Sequence, residues 1–282
     1  MLTAVKYLGR MRVGITTPRL FRADDRKVYV VKLQNNLLGP RVLASELLAT
    51  KLGEMMGLRF PPGGIITIGE QLLKESRSLQ EAGGSPGRHF ASLFLNHAEY
   101  VDRGNMGKAV NSAEMAGILL FDHMFHNADR STNGKNLLLR REEKGPMMYA
   151  IDNSHLFKSG RWTAESLRRL GNVITPYYRY SYGRLLKNHL SPEDFRPYMA
   201  KMAGISDAQV ADLVREIPWE WLPDEEVRAE LSRFIGMRRD RMEGIWEELC
   251  KHIPIARGGR QWWGGEKSDP GEEKKRKWLG KY

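Results

Sequence analysis

Strand-like and helix-like patterns occupy different stretches of this chain, and that segregation limits its fold more than any single residue does. Residues 28–33 (VYVVKL) are dominated by β-branched and aromatic side chains, the signature of a strand. Residues 24–27 (DDRK) read as a hairpin turn, with residues 19–21 on the strand before it. Pro40 then opens a helix, along which Val42, Leu43, Leu47, Leu52, Met55 and Met56 recur at helical spacing until Gly57 stops it. Residues 65–68 form a further strand, and residues 73–110, rich in Gly, Ser and charge, read as loop with short elements. Ser112 is placed as an N-cap, with Glu114 in the first turn of a helix carrying Met115, Ile118, Leu119, Phe121, Met124 and Phe125. That helix is apolar on most sides and so is expected to be buried. After a loop over residues 127–136 come strands at 137–140 and 148–151, and from about 161 to 253 the pattern is helical. Strands with one helix first and helices afterwards predict an α+β fold in two lobes. The first lobe is assigned to residues 1–80 and the second to 81–255, with a Gly-rich, charged tail over 256–282 expected to be disordered.

Charge and cysteine content narrow the setting. The net charge is +11, so the surface attracts polyanions such as nucleotides, nucleic acids, acidic proteins or anionic lipid. The only cysteine, Cys250, excludes an internal disulfide. No apolar run approaches the roughly 20 residues that span a bilayer, and no secretory leader is visible, which together predict a cytoplasmic protein without a membrane segment.

Several polar residues stand where apolar ones are expected. Lys32 sits inside the strand VVKL, where a charge needs a reason. Glu46 falls on the apolar stripe of the next helix and needs a partner. A strand lysine held by a helix glutamate is the arrangement that fixes a cation on ATP phosphates. Gly14, Thr16 and Thr17 (GITTP) precede the strands and could cradle phosphate through backbone N–H groups, or form a plain turn. In HNADRSTNGKN, residues 126–136, Asp129 could orient an acceptor hydroxyl and take its proton. Asn133 or Asn136 could offer a neutral oxygen to magnesium, and Asp152, after the following hairpin, a carboxylate. Asp122, in the buried helix, is expected to hydrogen-bond the loop that carries Asp129. His123 and His126 suit packing or capping, His155 lies near Asp152, and no zinc pattern exists among the histidines. Trp262 and Trp263, with Arg257 and Arg260, could stack on bases but read rather as part of a sticky tail.

The order of these residues resembles that of HipA-like kinases, and also of lipid kinases of the phosphatidylinositol type. The resemblance rests on Asp129-Arg130, then Asn136-Leu137-Leu138, then Ile151-Asp152. Upstream it extends to Tyr29-Val30-Val31-Lys32, Glu46, Gly57-Leu58, Pro61-Pro62 and Gly87-Arg88-His89-Phe90. It covers roughly residues 10–160. It implies a protein-kinase-like fold, with a small β-rich N-lobe bearing one helix and a larger helical C-lobe. It further implies ATP and Mg2+ as ligands and a hydroxyl acceptor, a Ser/Thr of a protein ahead of a small molecule. In those terms Asp129 is catalytic, Lys32, Glu46, Gly14, Thr16 and Thr17 bind the nucleotide, and Asn136 and Asp152 hold the metal. Two departures stand out: Ser131 follows Asp-Arg where His is frequent, and Asn133 and Asn136 lie four and seven residues after Asp129 rather than five. Those departures and the charge motivate an alternative, a pseudokinase or basic binding module for an acidic protein or nucleic acid.

Overall fold

The computed structural model describes residues 1–11, 16–176 and 181–254. Gly14 and the tail from residue 255 on, with Trp262 and Trp263, lie outside the described residues.

Five strands close into a barrel: β1 (Leu2–Arg10), β2 (Arg19–Ala23), β3 (Val28–Lys32), β4 (Gly63–Ile68) and β5 (Gly87–Leu93), in the order β1-β2-β3-β5-β4. The β2–β3 hairpin turns where the sequence places it, with Phe21 opposite Tyr29 and Ala23 N–H bonded to Lys27 O. The barrel closes through a short parallel pairing of β1 with β4, Leu2 opposite Ile66 and Thr3 opposite Thr67. Closure leaves few unpaired backbone groups on the rim. Phe21, Val31, Leu33, Ile66, Ile68 and Ala91 alternate inward and fill the interior as a core of its own.

Helix α1 (Arg41–Met56) follows β3 directly. Gly57 ends it in the left-handed region, at φ 69°, a conformation glycine adopts at no steric cost. Two short helices, α2 (Glu70–Glu75) and α3 (Arg77–Glu81), lie between β4 and β5. The expectation of one helix in the first eighty residues is therefore corrected to three. The stretch read as loop over 73–110 also holds β5, which pairs with both β3 and β4 and completes the barrel beyond residue 80. The charges and glycine of GRHFASL hide the strand pattern there.

A second sheet, in the order β6-β7-β8, comprises β6 (Ala98–Tyr100), β7 (Leu137–Glu142) and β8 (Gly145–Ala150). The helices of this part are α4 (Met115–Met124), α5 (Ala128–Thr132), α6 (Ala164–Gly171), α7 (Ser181–Asn188), α8 (Arg196–Ala203), α9 (Asp207–Glu216), α10 (Glu225–Asp240) and α11 (Met242–Cys250). Ser112 does not cap α4. Residues 112–114 form a 3-10 turn, Ser112 Oγ donates to Ala109 O, and Glu114 pairs with Arg59, so the α-helix begins at Met115. Every residue of α4 is buried, as its all-round apolar pattern requires.

One large core joins α1 to these helices, so α1 faces the helical part as well as the barrel. Arg88 of β5 adds a polar tie, donating through Nε (2.6 Å) and Nη2 (2.5 Å) to Glu220, while Trp221 Nε1 donates to Arg88 O at 3.1 Å. Among the described residues no helix is long and apolar enough to cross a membrane.

Candidate active site

Two groups of polar side chains meet where the barrel faces α4 and the second sheet. In the first, Lys32 at the end of β3 is buried and uses all three of its N–H donors. They go to Glu46 of α1, to Asp152 Oδ1 at 2.7 Å and to Ser154 Oγ at 3.1 Å. Glu46 Oε1 also accepts the backbone N–H of Asn153 at 3.0 Å. The partner that Glu46 needed on an apolar stripe is therefore Lys32, as the sequence position suggested.

One ammonium between two carboxylates leaves this cluster net negative. Burial works against the charged form of Lys32, but Asp152 and Glu46 outweigh it and hold the ammonium above its ordinary value. Burial also works against the Asp152 carboxylate, but Lys32 and the Ser154 hydrogen bonds hold it below the usual carboxylate range. Glu46 moves the other way, pushed up by burial against the pull of Lys32. Asp152 stands at φ 61°, uncommon for a residue with a side chain, and such conformations persist where surrounding structure fixes them.

In the second group, Asp129 sits in the first turn of α5, the short helix that replaces the expected loop. Its Oδ2 accepts from Asn136 Nδ2 at 2.6 Å. Asn136 is buried, and with its Nδ2 on Asp129 its Oδ1 is the acceptor that remains. Asn133 is spent otherwise: it caps a 3-10 turn, its Oδ1 accepting from Lys135 N at 3.1 Å.

Arg130 joins the two groups. Fully buried, it donates to Asn136 O (3.2 Å), to Ile151 O and to Asn153 Oδ1 (2.5 Å). Its Nε rests on Asp122 Oδ2 at 2.8 Å, and Asp122 accepts from Asn127 Nδ2 at 3.0 Å and from the Tyr182 hydroxyl. Asp122 thus holds the segment carrying Asp129, as its buried position predicted. Burial pushes the Asp122 carboxyl up to about 6 even with Arg130 beside it. The backbone adds its own link, Ile151 N–H to Asn136 O at 3.0 Å. Two further stitches, Phe157 N–H to Phe125 O (2.8 Å) and Lys158 N–H to His126 O (3.1 Å), tie the segment after Asp152 to the segment before Asp129.

Arg238 of α10 supports this from behind. Buried, it donates to the carbonyls of Met124 (2.7 Å), His123 (3.0 Å), Gly171 (3.1 Å) and Val173 (2.7 Å). A cation is favourable at the C-terminus of α4, where helix carbonyls lack intrahelical partners. The histidines pack as expected: His123, on α4, has Nδ1 near Leu119 O, and His126, two residues past the end of that helix, has Nε2 near Leu170 O.

Thr16 and Thr17 precede β2, and among the described residues no hydrogen bond joins them to Lys32, Glu46 or Asp152. Arg19 Nη1 instead holds the Thr17 carbonyl at 3.0 Å. Sequence reasoning gave no role to Arg130, Asn153, Ser154 or Arg238. For Arg130 a signal existed, since a buried Asp122 requires a partner and Arg130 lies two turns on.

The donor set suits a hard cation. Asn136 Oδ1 and Asp152 Oδ2 carry no hydrogen bond among the described residues. No group of three or more His, Cys, Asp or Glu that could hold a metal occurs there either. Two protein oxygens fit an ion that takes its remaining ligands from phosphate and water.

A sequence model of the HipA-like kinase family matches residues 4–244. No curated protein sequence matches the chain. Among solved structures, the Helicobacter pylori proinflammatory kinase CtkA is similar at 11% identity and a TM-score of 0.55, over 90% of this chain and 98% of that one. A hydra Fam20 structure with sugar gives 14% identity and a TM-score of 0.47, over 89% and 86%. The Golgi casein kinase with Mn/ADP bound gives 12% and 0.46, over 90% and 73%. The likeness to CtkA is one of fold.

Proposed function

The chain belongs to the HipA-like kinase family, and on that footing we propose that it transfers the γ-phosphoryl group of ATP, with Mg2+, to a hydroxyl acceptor, a serine or threonine of a protein. The single observation that carries this is the convergence of Lys32, Glu46 and Asp152 on one buried cluster, tied through Arg130 to the Asp129–Asn136 pair. ATP would lie between the barrel and the helical part, the two lobes of a kinase, with Lys32 on its phosphates and Glu46 fixing the lysine. Thr16 and Thr17, with Gly14, would lie over the phosphates. Asn136 and Asp152 would hold the metal, which when bound offsets the negative charge of phosphates and carboxylates. Asp129 would accept the proton of the acceptor hydroxyl as its oxygen bonds to the γ-phosphorus and ADP leaves.

Lys32 has no spare donor in this structure, so a phosphate contact requires it to give one up. Asp152 is the partner a cation would claim. Nucleotide and metal should therefore bind together, each releasing what the other needs. Calorimetric titration with ATP tests this: affinity should depend on magnesium, and Asp152→Ala should remove that dependence. ATP binding that ignores magnesium in the unaltered protein would refute the assignment.

A further inference from the structure

Resting on the kinase reading, we propose that Trp162 is a positioning residue, which sets the Lys32–Glu46 pair through a hydrogen bond to Ser45. Trp162 Nε1 donates to Ser45 Oγ at 2.9 Å, and both residues are buried. Ser45 precedes Glu46 on α1. A serine inside a buried helix ordinarily bonds its own preceding turn or faces water. Here its oxygen receives a donor from 117 residues away.

The contact belongs to a wider attachment. The segment that starts at the metal-site aspartate runs back along α1 and meets it repeatedly. Asn153 N–H donates to Glu46 at 3.0 Å, and Arg41 Nη1 donates to Trp162 O. Arg161 Nη2 donates to Leu37 O at 3.1 Å, just before the helix. Gly160 lets the chain come close, since a Cβ there would stand 2.9 Å from Val42 Cγ1. The indole itself is fixed, edge-on to Phe157 at 5.0 Å between centroids and under the Arg41 guanidinium at 5.9 Å.

Apolar packing alone would let α1 slide or roll, because leucine and valine side chains accept many neighbours. A polar pair in the core is directional and costs free energy when broken. Adjacent helix residues point about 100° apart, so fixing Ser45 fixes both the height and the rotation at which Glu46 meets Lys32. The segment after Asp152 thereby holds α1 in its working position through the Trp162–Ser45 pair and the hydrogen bonds to or from backbone atoms beside it.

The test measures Mg-ATP affinity by calorimetry on the whole chain, with Trp162→Phe, Ser45→Ala, the double variant, Glu46→Gln, and Trp162→Phe combined with Glu46→Gln. Lys32→Ala serves as reference. Trp162→Phe and Ser45→Ala, which each remove one side of the Trp162–Ser45 latch, should weaken Mg-ATP binding by about three- to tenfold, the range of one hydrogen bond. The double variant should be no weaker than either single one, and Trp162→Phe should add nothing once Glu46 is glutamine. Equal penalties with and without Glu46 would reduce Trp162 to a core residue and overturn the proposal, whatever the melting temperatures. Ser45→Ala, which deletes one oxygen, keeps the test open if Trp162→Phe does not fold. If Lys32→Ala weakens binding while the latch variants do not, the latch alone falls. If Lys32→Ala binds as the unaltered chain does, the kinase reading of the site falls with it.

Discussion

Arg130 shows how one side chain can decide whether a site exists. Its guanidinium spreads over a carboxylate, an amide oxygen and two carbonyls, from segments on both sides of the site. A planar fork of five donors is suited to that work, and lysine is not. Removing it leaves Asp122 buried with only Asn127 and Tyr182 for support. Arg130→Met should therefore destabilise the protein by about 3–5 kcal/mol in chemical denaturation, the cost of breaking a buried pair from one side. Adding Asp122→Asn should recover much of that loss, because no charge is then left unpaired. A double variant no more stable than Arg130→Met would show that the guanidinium acts through the carbonyls instead.

At the scale of elements, α4 leads into the segment that carries Asp129, and its own placement depends on close packing. Gly117 sits where a Cβ would come within 2.5 Å of Tyr198 and 2.7 Å of Leu58. Gly117→Ala should cost about 1–3 kcal/mol in denaturation, as overpacking does; a neutral outcome would mean that α8 can yield. The same scale shows what a sequence makes legible. Lys32 and Glu46 stood out because a charge in an apolar pattern must find a partner, and adjacent elements supplied it. The β2–β3 hairpin, β4, β7, β8, α1 and α4 were legible from residue pattern and from Gly57, whereas β5 and β6 were hidden in a stretch read as loop. Trp162 was not legible, since an apolar residue in a helical stretch carries no mark of the hydroxyl it meets across the core. Ser112 misled because a serine before an acidic residue scores as a cap, although here its hydroxyl is taken by Ala109 and the acid by Arg59. Spacing left Asn133 open beside Asn136, and the place of Asn136 directly before the apolar strand favoured it; in the structure Asn136 meets Asp129 while Asn133 caps a turn.

For the whole molecule, buried histidines set the response to acid. Burial lowers His89 to about 4 and His126 to about 3, so both are neutral in the folded chain. The unfolded chain binds those protons from about pH 6.5 downward, so stability is full above 6.5 and is lost as the pH falls toward 4. His89 alone is worth about 3 kcal/mol over that window at about 1.4 kcal/mol per unit. Asp122, raised to about 6, acts in the opposite sense between about 4 and 6 and offsets only part of this. Urea midpoints should fall between pH 7 and pH 5, and less steeply in His89→Gln; equal midpoints would contradict the assignment. The most direct test is transfer of labelled γ-phosphate from ATP to protein in a lysate, with the unaltered chain and Asp129→Ala compared at matched folded fraction. Magnesium-dependent labelling that drops by about 10²–10⁴ in Asp129→Ala is the result predicted for loss of an acid–base group. Equal labelling by the two proteins would contradict it.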